Sequence, residues 1–155
     1  MDIPLPSMLL EIEQAFEHSP IQDVYQAVQT ELVASHILEK IPPRSKIAVA
    51  VGSRGVANIR TIVKAVVDTF LQCGFEPFIT PAMGSHGGGT AEGQIELLAS
   101  FGITEESVGV PVQATMEVKE VGQIPCGPKL YQDTLSAAAD YTFLINRVKP
   151  HTKFI

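Results

Sequence analysis

The sequence predicts an α/β fold, a Rossmann-like domain on a parallel βαβ sheet with a small β-hairpin insertion. Three observations predict it. Short continuous apolar runs at 46–51, 75–80 and 141–145 each stop at a glycine, a proline or a polar residue, as strands buried inside a parallel sheet do. A segment of helical apolar period separates the first two runs, and a second such segment follows the second run. Strand, helix, strand, loop and helix at this spacing make a parallel sheet with right-handed crossovers the economical architecture.

Residues 1–20 read as an N-terminal extension punctuated by Pro4, Pro6 and Pro20, with a short helical stretch from Met8 to Phe16. Residues 21–155 read as the domain itself. From Ile21 to Leu38 the apolar positions Val24, Tyr25, Val28, Leu32, Ile37 and Leu38 recur near helical period. Pro42-Pro43 ends this helix, because proline cannot continue it and pushes the preceding residue toward extended geometry. Lys46 to Val51 is the first strand, closed by Gly52. Asn58 opens a second helix with Ile59, Ile62, Val63, Val66, Val67, Phe70 and Leu71 on one stripe, and Gly74 stops it. Phe75 to Thr80 is the second strand. A glycine-rich loop leads to Thr90, the expected N-cap of a helix running to Phe101. Glu105-Glu106 reads as a solvated helix start after Thr104. Met116 to Val121 and Lys129 to Gln132 form the expected hairpin, across the turn Pro125-Cys126-Gly127-Pro128. A short helix from Leu135 to Ala139 precedes the last buried strand, Tyr141 to Ile145.

A length of 155 residues suits one domain, and a composition that is 45% hydrophobic can furnish its core. With 17 acidic against 11 basic side chains, a formal net charge of -6 and no Lys/Arg run, the chain has no footprint for nucleic acid or an anionic membrane surface. No run approaches the roughly 18 apolar residues of a membrane helix. The start Met1-Asp2-Ile3-Pro4 lacks the basic region of a secretory signal, so a cytoplasmic location is expected. Cys73 and Cys126 fit neither a disulfide framework nor a zinc motif, and no metal ligands are expected from these residues. Cys73 is expected to be buried beside Phe70, and Cys126 to sit in a turn. His18 and His36 lie in polar helical stretches and are expected at the surface.

In an open parallel sheet, ligands bind at the carboxyl ends of the strands. Three such ends carry concentrated polar chemistry: Gly52-Ser53-Arg54-Gly55, the stretch from Gly84 to Thr90, and the stretch from Asn146 to Thr152. Arg54, between glycines, suits a bidentate grip on a carboxylate or phosphate; otherwise it is a surface arginine paired with an acidic neighbour. Gly84, Gly87, Gly88 and Gly89 let backbone approach a ligand closely, and the following helix start favours an anion. The same glycines also fit a plain strand-to-helix turn, and the segment matches neither a P-loop nor a dinucleotide fingerprint. His86 in that loop can titrate near neutrality and act as general acid or base. His151, after Lys149-Pro150, is either a second such group or a solvated loop histidine.

The three segments together, Val-Gly-Ser-Arg-Gly at 51–55, Ala-Met-Gly-Ser-His-Gly-Gly-Gly-Thr-Ala-Glu-Gly at 82–93 and Asn-Arg-Val-Lys-Pro-His-Thr at 146–152, resemble the N-terminal domain of the nickel-dependent lactate racemase family. The resemblance covers roughly residues 20–155. It implies a 2-hydroxy acid bound beside a nickel-pincer nucleotide, with the Cα hydride passing to the cofactor's pyridinium ring and back. It implies that His86 and His151 alternate as base and acid at the substrate hydroxyl and that Arg54 holds the substrate carboxylate. Gly84, Gly87, Gly88, Gly89 and Thr90 would contact the cofactor phosphate or shape its pocket, and Ser53, Ser85 and Lys149 are counted with them. The first loop lacks the aspartate of the characterised racemases, and Gly87 stands where they carry a basic residue, which places the chain in a divergent branch. The family's cofactor-anchoring lysine and nickel-ligating histidine fall beyond Ile155, so a partnering C-terminal domain is implied and this chain alone is expected to be inactive. The alternative from another class is a non-catalytic α/β module that binds a small anion or nucleotide through Arg54 and the glycine-rich loop.

Overall fold

A computed structural model describes residues 19–53 and 55–147, together with Glu13 and Ala15. The Met8–Phe16 stretch, Glu13 and Ala15 apart, lies outside the described residues, as do His18, Arg54, Lys149 and His151. Helix α1 spans Val24–Ala34, with the Asp23 side chain accepting the Gln26 N–H as its N-cap. It is shorter than the apolar period suggests, and a separate 3₁₀ turn, Leu38–Lys40, follows it. Strand β1, Lys46–Val51, leads to helix α2, Ile59–Gln72, and strand β2, Glu76–Pro81. A tight turn, Gly87–Gly89, precedes helix α3, Ala91–Ser100, and a single turn, α4, Glu105–Val108, follows. Thr104 and Ser107 close α4 with a reciprocal capping box, and both glutamates are exposed, as the sequence predicts.

Strands β3, Val118–Gln123, and β4, Lys129–Asp133, pair antiparallel as the predicted hairpin, with Val121 as a bulge. A short helix α5, Thr134–Ala137, and strand β5, Tyr141–Ile145, complete the described order.

The main sheet is parallel in the order β2-β1-β5, with register Val49↔Ile79 and Val49↔Phe143 across its middle. Val112 adds a parallel bridge to Ile79 on the outer side of β2. The chain therefore builds outward from β1 through β2, then crosses back to lay β5 on the other flank. That reversal makes the β1/β5 boundary a topological switch point, where open α/β sheets bind their ligands.

Side-chain alternation along the strands divides the two faces. Ile47, Val49, Val51 and Ile79 join Val63, Val66, Val67 and Phe70 of α2 in one buried cluster. Phe70 anchors it, edge-on to Phe75 at 6.0 Å and to Phe143 at 5.2 Å. Helix α1 packs on α2, where the Tyr25 hydroxyl donates to Asp68 Oδ2 at 2.7 Å and Lys64 holds the other oxygen. The opposite face presents the small Ala48 and Ala50, and α5 and the hairpin lie on that side.

Two expectations are corrected. Strand β5 is not buried but forms the free edge of the described sheet, with Leu144 61% exposed. An apolar run alone cannot tell a strand with two neighbours from one with a single neighbour. Cys73 is exposed, because α2 ends at Gln72 and the chain turns before the buried stripe reaches it.

Candidate functional site

The loops after β1 and β2 and the start of the segment after β5 meet where the sheet's order reverses. Gly52 N–H donates to Ile145 O at 2.9 Å, and Ala82 N–H donates to Val51 O at 2.8 Å. The first bond ties the loop after β1 to β5, and the second ties the loop after β2 to β1. The contact at Gly52 is close enough to exclude a side chain: a Cβ there would meet Asn146 Cγ at 2.6 Å. Gly52 is thus needed for the approach of Asn146, independently of any turn.

The centre of the cluster is a pair that bridges two loops. Ser53 Oγ lies 2.6 Å from His86 Nδ1, and both residues are half-buried. One ring nitrogen is thereby occupied, which leaves Nε2 as the nitrogen free to meet a ligand. The hydroxyl can accept from a protonated Nδ1 or donate to a bare one, so it stabilises whichever tautomer the ligand selects.

His86 is held from below by Gln94. This glutamine is buried to 5% exposure, and its Nε2 donates to Gly84 O at 2.8 Å and to His86 O at 3.4 Å. The first half of the glycine-rich loop is therefore tied to the first turn of α3. Thr90 caps that helix, accepting the Gly93 N–H at 3.1 Å while its hydroxyl donates to Gly87 O at 3.3 Å. Gly87 has φ +65, and a Cβ on it would fall 2.5 Å from the Gly93 backbone. No residue but glycine fits between the loop and the helix without moving one of them. Among the described residues, the Gly87 and Gly88 N–H groups take part in no hydrogen bond. They flank the positive end of α3, an arrangement suited to an anionic oxygen.

Of the sequence-predicted site residues, the structure brings together Ser53, Gly84, Ser85, His86, Gly87, Gly88, Gly89 and Thr90. Ser53 enters as the hydrogen-bond partner of His86. Arg54, Lys149 and His151 fall outside the described residues, and Asn146 and Arg147 mark where the last loop leaves β5.

Sequence reading missed Gln94, although a signal was present. Gln94, Leu98 and Phe101 share one stripe of α3, and a polar residue on an apolar stripe calls for a buried partner. It also missed a cavity of about 480 Å³ that opens beside Gly84 beneath the hairpin.

The fit to a nickel-pincer nucleotide divides in two. The loop from Gly84 to Thr90 offers free N–H groups and a helix start that suit the phosphate of any nucleotide. Among the described residues, no cluster of three His, Cys, Asp or Glu could hold a metal ion, so these residues do not fit the nickel. Among the described residues, no helix is long and apolar enough to cross a membrane. No family model, curated protein or solved structure matches the chain.

Proposed function

We propose that this domain binds a 2-hydroxy acid and handles the proton of its hydroxyl, as the acid/base half of a racemase-like or epimerase-like isomerase. The observation that carries the reading is the Ser53–His86 pair, 2.6 Å apart at the switch point of the sheet. The likeness of its three loops to the nickel-dependent lactate racemases supports the same assignment.

The proton chemistry follows from the geometry. A base at the substrate hydroxyl must reach it within about 2.6–3.2 Å with a free lone pair. His86 meets that need through Nε2 when Nδ1 carries the hydrogen and Ser53 Oγ accepts it. Taking the substrate proton converts the ring to imidazolium, in which Nδ1 is still a donor, so Ser53 accepts throughout and need not reorganise. Gln94 fixes the backbone on which the ring is mounted. The ensuing loss of hydride from Cα needs an acceptor that no amino-acid side chain provides. Arg54 is assigned the substrate carboxylate, through the bidentate geometry its guanidinium favours. His151 is assigned the hydroxyl proton on the opposite face, since return of the hydride to either face requires an acid on each.

The test is turnover. A form of the protein that carries the C-terminal domain implied by the resemblance, loaded with nickel-pincer nucleotide, is offered a panel of 2-hydroxy acids, and the enantiomers or epimers are resolved by chiral chromatography. His86→Ala and His151→Ala should each lower turnover by about 10²–10⁴-fold, the usual worth of a positioned acid or base. Absence of interconversion for every acid, or unchanged turnover in both variants, refutes the assignment.

A second reading has one observation of its own. The free Gly87 and Gly88 N–H groups at the start of α3 suit a phosphate, and a non-catalytic anion or nucleotide module would need only these together with Arg54. That reading predicts phosphate-type binding that depends on Arg54 and is indifferent to His151.

A further inference from the structure

We infer that strand β4 is a docking edge for a second copy of this chain, the two β4 strands pairing antiparallel about Tyr131 so that Lys129 of each copy faces Asp133 of the other. The inference is independent of the acid/base reading of the His86 site.

Strands β3 and β4 make a sheet of two, so among the described residues each has one edge with no strand beside it. Two strands alone are marginal in water, and an unpaired edge is a template for a further strand. The hairpin is anchored at one end, where Thr134 N–H donates to Glu117 O at 3.0 Å and Gln132 Nε2 to Thr142 Oγ1 at 3.2 Å. Beyond that anchor it is bare. Leu130 and Tyr131 are consecutive and point to opposite faces, yet both are exposed, at 44% and 57%.

The two edges are not equivalent. Strand β3 carries the Val121 bulge, which interrupts its ladder and twists that edge away from a partner. Strand β4 runs without a bulge from Lys129 to Asp133.

The sequence of β4, Lys-Leu-Tyr-Gln-Asp, is its own complement. Paired antiparallel about Tyr131, it sets Tyr131 against its counterpart, Leu130 against Gln132, and Lys129 against Asp133. Alternation places residues 129, 131 and 133 on one face, so an ion pair flanks the tyrosine pair on each side. A shift of two residues in either direction sets Tyr131 against Lys129 or Asp133 and leaves the other charge unpaired, so charge selects one register. The side chains are available for it. Lys129 Nζ meets Glu120 Oε2 at 2.8 Å on an exposed surface, and Asp133 accepts the Ser136 N–H through Oδ1 while Oδ2 bonds to no described residue. Each lysine would stand between its own Glu120 and Asp133 of the other copy. Strand β5 also has a free edge among the described residues, but Tyr141–Ile145 carries no charged side chain to fix a register. The contact is isologous, and a single edge is smaller than the interface of a permanent dimer, so association depends on concentration.

The experiment is sedimentation equilibrium of the 155-residue chain, with amide hydrogen exchange at the lowest and highest concentrations. Salt of about 0.15 M screens the net charge beyond about 8 Å, and protein runs up to about 1 mM, the weak end of specific association. The average mass should rise toward that of a dimer, and amide protection should grow across 129–133. Lys129→Glu turns two attractive cross-strand pairs into repulsive ones and should weaken association at least about tenfold. Adding Asp133→Asn keeps an N-cap for α5, removes the repulsion and should recover most of that loss. Glu120→Gln breaks only the pair within the hairpin and should not weaken association. A chain that stays monomeric to the highest concentration, equal association of wild type and Lys129→Glu, or no recovery on adding Asp133→Asn overturns the inference. So does protection that grows at 141–145 and not at 129–133.

Discussion

Replacing Gly87 by alanine tests how the glycine-rich loop is held. Gly87 and Gly89 sit two residues apart with almost the same backbone, φ +65 and φ +68. They differ in surroundings: a Cβ on Gly89 meets nothing within 4 Å, whereas one on Gly87 lands 2.5 Å from Gly93 C and 2.7 Å from Gln94 N. Alanine in a left-handed conformation costs about 1–2 kcal/mol at either position. At Gly87 the Cβ also meets backbone that cannot rotate aside, which adds about 1–3 kcal/mol of overpacking. The loss of unfolded-state freedom is the same for both changes and cancels in their difference. Gly87→Ala should therefore be about 2 kcal/mol less stable than Gly89→Ala. In urea, with a slope of about 2 kcal/mol/M, the two midpoints separate by about 1 M. If the clash is relieved by lifting the loop off α3, the Ser53–His86 contact is lost with it, and the His86 ring signals change in the same variant. Equal midpoints for the two variants would refute the claim that the loop is wedged against α3.

Three further outcomes follow from the same contacts. Ser53→Ala should leave folding intact but release His86 Nδ1, lowering turnover by about 5- to 10-fold, as expected for one hydrogen bond; Ser53→Thr should restore most of it. Phe70→Ala removes the ring between Phe75 and Phe143 at 1% exposure and should cost about 3–5 kcal/mol in chemical denaturation. The Asp68 carboxylate accepts the Tyr25 hydroxyl, and that bond, with some burial and the negative charge, raises the phenol above its ordinary value. The folded state thus favours the protonated phenol. The advantage of wild type over Tyr25→Phe should be about 1 kcal/mol and constant through neutral pH, then close as pH climbs past about 10 and through the folded value.

The parallel sheet was legible because burial on both faces leaves unbroken apolar runs, and 46–51 is an almost pure case. Helix α2 was legible because its apolar residues recur at helical period, the stripe that the sheet and α1 bury. Contacts between segments distant in sequence were less so. The apolar run at 141–145 looks like a central strand, yet its second neighbour is absent among the described residues, because strand order is a property of the whole chain. Cys73 continues the α2 stripe on paper and leaves it in space, because the helix stops one residue earlier. The convergence of the loops after β1 and β2 could be anticipated from parallel topology alone. The bond between Ser53 and His86 could not, because it depends on how Gln94 and Gly87 set the height of a loop 33 residues away from the serine.

The most direct measurement of the central claim is the ¹⁵N spectrum of the His86 ring, recorded with a 2-hydroxy acid and with the same acid lacking its 2-hydroxyl. The account predicts a ring protonated on Nδ1, whose Nε2 signal moves with the hydroxy acid and not with the deoxy analogue. A ring protonated on Nε2, or equal shifts from both acids, would contradict it.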